Sequence, residues 1–116
     1  MAARRSRIVR WAACVLLLFA AIANASLTQL LTIKARLVIP GHGPLSTDPA
    51  TDLTLTRDYL MHLRKSMGDA ARDLEPFDEA YAKTDWLRFE QMPLFKAVNR
   101  MNAYNTYLLM EQQAPR

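Results

Sequence analysis

The chain has 116 residues, 51% of them hydrophobic, enough for one modest domain. Its net charge of +4 comes from one end: Arg4, Arg5, Arg7 and Arg10 account for it, and without those four of the 15 basic residues 11 remain against 11 acidic ones. The body therefore carries no electrostatic footprint for DNA or RNA, and the single Cys14 excludes both a disulfide framework and a cysteine-built zinc site within one chain.

Residues Met1 to Arg10 are basic, Trp11 to Ala23 form an uninterrupted apolar run of 13, and Ala23-Asn24-Ala25 is a small-x-small cleavage signature. Residues 1–25 thus follow the three-part pattern of a secretory signal peptide, with export to the periplasm or the exterior. A rival reading extends the apolar helix through Leu27, Leu30, Leu31 and Ile33 to Lys34 as an uncleaved anchor in the inner membrane. Residues 8–24 then contact the bilayer and the arginines stay on the cytoplasmic side. Cys14 has most of the apolar run after it, which is the wrong order for a lipoprotein signal.

From Ser26 the chain reads as a domain, 26–116. Leu27, Leu30 and Leu31 recur at helical spacing with Ser26 as the expected cap, giving a short helix to Ile33. Arg36 to Ile39 then reads as one short strand, because Leu37, Val38 and Ile39 favour a packed pleated setting and Pro40 withholds the N–H that a continuing ladder needs. Gly41 and Gly43 bracket His42 and leave it open to approach, while Pro44 stiffens the exit. A histidine placed so is suited to metal ligation or proton transfer.

Ser46, Thr47 and Asp48 offer caps and Pro49 fits the first position of a long amphipathic helix. Its core stripe is expected to run through Leu53, Thr56, Leu60, Leu63, Met67, Ala70 or Ala71, and Leu74. His62 flanks that stripe and is expected to be a partly exposed helix residue, not a ligand. Glu75-Pro76 breaks the helix, and Phe77 to Lys83 form a brief one with Phe77, Ala80 and Tyr81 on one side. Trp86, Phe89 and Met92 follow as a loosely ordered apolar set. Pro93 is expected to open the last helix, whose core face takes Leu94, Phe95, Val98, Met101, Ala103 or Tyr104, Leu108 and Leu109, with Asn99, Asn102 and Asn105 beside it.

The order Ser26-Leu27-x-x-Leu30-Leu31, then Ala35 to Pro44 ending in Pro40-Gly41-His42-Gly43-Pro44, then a helix opened by Asp48-Pro49, resembles the C-terminal third of metallo-β-lactamase-fold hydrolases. Phe77 to Tyr81 with Trp86, and Asn99-Arg100-x-Asn102-Ala103-Tyr104-x-x-Tyr107-x-x-Met110-Glu111, resemble the tail of a bacterial, frequently exported branch. The resemblance spans about Ser26 to Gln112. It implies a C-terminal fragment of an αβ/βα sandwich, mostly α with one short β-strand in this chain, with zinc as cofactor and His42 as a metal ligand. The remaining ligands of that family, a His-x-His-x-Asp-His loop, a further histidine and an aspartate, have no counterpart here, so the chain is expected to be a truncated hydrolase, inactive alone. A missing upstream half or self-association would complete it; no nucleic-acid partner is expected. A different class of reading makes 26–116 an exported or anchored helical binding module in which His42 only shapes a turn. The chain shows no phosphate-cradling glycine loop and no nucleophile, base and oxyanion-hole set.

Overall fold

A computed structural model describes residues 24–41 and 43–114. Helical residues 24–32 (α1) lead into an irregular ribbon, followed by α2 (Pro49–Arg72), α3 (Phe77–Lys83), a 3-10 turn (Leu87–Phe89) and α4 (Phe95–Gln113). The protein is mostly helical, as its periodicities predict.

The N-terminus of α2 is built as expected. The Asp48 carboxylate accepts the Thr51 N–H at 3.3 Å and the Thr51 hydroxyl at 2.7 Å, and Pro49 occupies the first turn, where its missing N–H has no consequence. These bonds hold the Asp48 carboxyl below the usual carboxylate range, the Thr51 hydroxyl contributing most. The helix ends at Arg72, two residues before Leu74, which takes a left-handed φ of 55° and is 84% exposed. The expected stripe thus stops a turn early. Its centre, Leu63, Met67 and Ala70, is buried, and Tyr59, which the expected stripe did not include, is buried in place of the half-buried Leu60.

That stripe packs mainly on α4. Tyr59 meets Asn99 and Asn102, and Gly68 faces Met110, so the two helices run in the same direction. Phe89, expected to be loosely ordered, is buried against Tyr59, ring centroids 5.5 Å apart in an edge-to-face arrangement. Ala80 of α3 and Ala103 of α4 complete the core, with Phe77, Tyr81, Trp86, Phe95 and Tyr107 around it.

Three expectations are corrected. Pro93 lies in a turn, and α4 opens after Leu94, which has a φ of 64°; Leu94 and Met101 are exposed, while Asn99 and Ala103 are buried. The face of α4 that looks inward is therefore offset toward the asparagines, because they hydrogen-bond Tyr59 and Tyr81 there. The second correction concerns Arg36–Ile39. No strand forms among the described residues; Val38 makes an isolated antiparallel bridge to Ser46, with both bonds at 3.0 Å. A ladder needs a second extended segment in register, and the Gly- and Pro-rich return of residues 40–44 offers only Ser46. Ser26 lies inside α1, which already includes Asn24, so it is not a cap.

Candidate functional site

The loop carrying the Pro-Gly-His-Gly-Pro sequence is closed at its base by the Val38–Ser46 bridge. It is tied to α2 by the Ser46 hydroxyl, which donates to Asp52 Oδ2 at 2.5 Å. Ser46 is buried and Asp52 exposed, so the contact works as a peg between loop and helix. Gly43 has a φ of 107°, a left-handed angle costly for any other residue, and a Cβ there would lie 3.8 Å from Pro93 Cβ. Between the loop, the first turns of α2 and residues 92–93 runs a groove of about 290 Å³, lined by Val38, Pro40, Ser46, Asp52, Leu53 and Met92 among others. His42, the expected metal ligand, lies outside the described residues, as do residues 1–23 of the leader.

The carboxylates nearest the loop in sequence have structural tasks: Asp48 caps α2 and Asp52 accepts from Ser46. Among the described residues no three histidine, cysteine, aspartate or glutamate side chains converge on a point suited to a metal ion. The described donors therefore do not by themselves fit a catalytic zinc, which takes three protein ligands and a water.

His62 lies among aromatic rings. Its imidazole packs at 5.3 Å against Trp86 and 5.2 Å against Phe89, and Nε2 is buried without a partner among the described residues. A larger, shallower hollow of about 480 Å³ beside it is lined by Lys65, Asp69, Asp73, Glu75, Lys83 and Asp85. Most of these charges neutralise one another: Lys65 pairs with Asp69 at 2.7 Å and Lys83 with Glu75 at 2.5 Å. Lys65, with a further contribution from Arg72, holds the Asp69 carboxyl below its ordinary value. Asp85 accepts the Leu87 N–H at 2.9 Å, starting the 3-10 turn. The hollow is a solvated face in which Lys65 and Lys83 are already paired and acidic charge is left over on Asp73 and Asp85.

Asn99 and Asn102, expected only beside the core face of the last helix, join a polar network that lies in the core. The Tyr59 hydroxyl donates to Asn99 Oδ1 at 2.9 Å and accepts from Asn102 Nδ2 at 3.2 Å, while Asn99 Nδ2 donates to the Tyr81 hydroxyl at 3.1 Å. Asn99 is only 2% exposed, and its amide uses both ends. The signal in the sequence is a run of asparagines at three-residue spacing, which places two of them on one helix face. The groups are mutually satisfied, so the network fixes how α2, α3 and α4 meet.

No family model, curated protein or solved structure matches this chain. No described helix is long and apolar enough to cross a membrane.

Proposed function

We propose that residues 26–112 are the closing portion of a metallo-β-lactamase-like zinc hydrolase, in which His42 supplies one metal ligand and other residues supply the rest. The observation that carries this reading is Pro40-Gly41-His42-Gly43-Pro44 on a loop clamped at its base by Val38 and Ser46 and pegged to α2 through Asp52. A ligand on a short loop held at both ends costs little ordering entropy when it meets a metal. Zinc bound in a complete site lowers the pKa of its water and polarises a scissile bond. In this chain the loop contributes one histidine, and the peg ties Ser46 to the start of α2.

Zinc content tests the reading. The full chain equilibrated with zinc alone is expected to retain well under one equivalent. Mixed with a polypeptide carrying the His-x-His-x-Asp-His half of such a fold, it is expected to hold zinc stoichiometrically, and His42→Ala is expected to reduce that load. An unchanged load in the His42→Ala mixture overturns the assignment.

The closed helical core of Tyr59, Leu63, Met67, Phe89 and Ala103 favours a second reading, a small helical binding module without catalysis. A sharp, concentration-independent thermal transition of a zinc-free monomer, with no zinc uptake in the mixture, would select it. Under either reading we place the protein outside the cytoplasm or anchored in the inner membrane by its leader. The intact mass of the protein from the cell envelope distinguishes cleavage after Ala25 from an uncleaved anchor.

A further inference from the structure

We infer that the outer edge of residues 37–39 is a docking site for an extended, acidic-ended segment of a partner protein, which adds to it as a strand. Val38 turns both its N–H and its C=O toward Ser46. In extended chain, consecutive backbone groups point alternately to the two edges, so Leu37 and Ile39 aim theirs the opposite way. Neither makes a backbone hydrogen bond among the described residues. Two donors and two acceptors are left in the geometry that a third strand needs. Pro40 does not spoil this edge, because its missing N–H belongs to the side facing Ser46.

The side chains agree with the backbone. Val38 and Ser46 share the face turned toward α2, where Ser46 is buried. Leu37, Ile39 and Leu45 share the opposite face and are 50%, 80% and 55% exposed. An open edge beside three exposed aliphatic side chains is the arrangement that strand addition covers.

Charge selects the occupant. From Asn24 to Thr47 the only charged side chains are Lys34 and Arg36, both exposed, and neither makes an ion pair among the described residues. They sit just before the edge and match a carboxylate at one end of an incoming strand. A second copy of the chain would bring two more cations and no acid in this stretch. The inference uses only the ribbon's geometry and charge, so it stands or falls separately from zinc binding.

The probe is an acetylated seven-residue peptide of alternating valine and threonine with a glutamate at each end, titrated into the full chain. Amide hydrogen exchange at Leu37 and Ile39 is expected to slow by about tenfold or more at saturation, while that of Val38 changes little. A lysine-ended peptide and a peptide N-methylated along its pairing edge are each expected to bind at least about fivefold more weakly. Ile39→Pro removes one outward donor and leaves the Val38–Ser46 bonds in place; it is expected to abolish peptide protection at Leu37 with an unchanged helical circular dichroism spectrum. Equal binding of the lysine-ended peptide overturns the inference. So does unaltered exchange at Leu37 and Ile39 with the glutamate peptide, or protection of both in the free chain that rises with protein concentration, which would assign the edge to a second copy.

Discussion

Tyr59 on α2 and Asn99 on α4 stand 40 positions apart in sequence and share a 2.9 Å hydrogen bond in the centre of the core. Asn99 also donates to Tyr81, so one buried amide joins three helices through two phenols. Removing it takes away the acceptor of the Tyr59 hydroxyl, which keeps only its bond from Asn102, and the donor to the Tyr81 hydroxyl. Asn99→Ala is therefore expected to lower the unfolding free energy by about 1–3 kcal/mol. Asn102, half-buried and bonded to Tyr59 at 3.2 Å, is expected to cost less on truncation, about 1 kcal/mol. Urea unfolding of the two variants side by side checks the order; an Asn102→Ala loss equal to that of Asn99→Ala would refute it.

The Tyr59 phenol is pushed above its ordinary value of 10.0 by burial, partly opposed by the Asn102 amide. A group whose folded pKa lies above its unfolded one supports folding fully below the unfolded value and loses that support as pH rises from there through the folded value. Stability is accordingly expected to decline above about pH 10. Tyr59→Phe is expected to start lower at neutral pH, having lost its bonds to the asparagines, and to decline less steeply. Urea midpoints followed from about pH 8 to pH 11 would contradict this if both proteins fell in parallel.

At the contact of α2 with α4, a Cβ on Gly68 would come within 2.8 Å of Met110 Cε. That atom is the free end of a flexible side chain and can swing away at small cost. Gly68→Ala is expected to be tolerated and to raise stability by up to about 1 kcal/mol, because alanine propagates a helix better than glycine. A branched Gly68→Leu has no such escape and is expected to cost about 1–3 kcal/mol through overpacking. Thermal melting of both variants tests the asymmetry, which fails if Gly68→Ala lowers the midpoint as much as Gly68→Leu.

Ser46→Ala removes the hydroxyl that pegs the loop to Asp52 and leaves both backbone bonds of Ser46 to Val38. Since Asp52 is exposed, water replaces the lost donor. The global cost is expected to stay within about 1 kcal/mol. The local effect is larger: amide exchange at Val38 and Ser46 is expected to rise severalfold while the core amides of α2 keep their protection. Core and loop amides speeding up together would show that the peg supports the whole fold.

Sequence alone determined the helical class, the start of α2 at Pro49, the existence of a break before Pro76, though not that α2 stops already at Arg72, and the aliphatic stripe of α2 around Leu63 and Met67. Capping, proline geometry and 3.6-residue periodicity are local physics, readable within a few residues. It also isolated the Pro-Gly-His-Gly-Pro loop, because proline withholds the N–H that a ladder needs and glycine admits the positive φ of a turn. Only tertiary structure decided which face of α4 looks inward. Asn99 counts as polar in any periodicity, and its burial depends on two tyrosines supplied by α2 and α3, distant in sequence. Only tertiary structure, likewise, decided that Arg36–Ile39 does not become a strand. Strand propensity states what a segment can do in a sheet, whereas a sheet needs a partner, and here Val38 finds Ser46 alone.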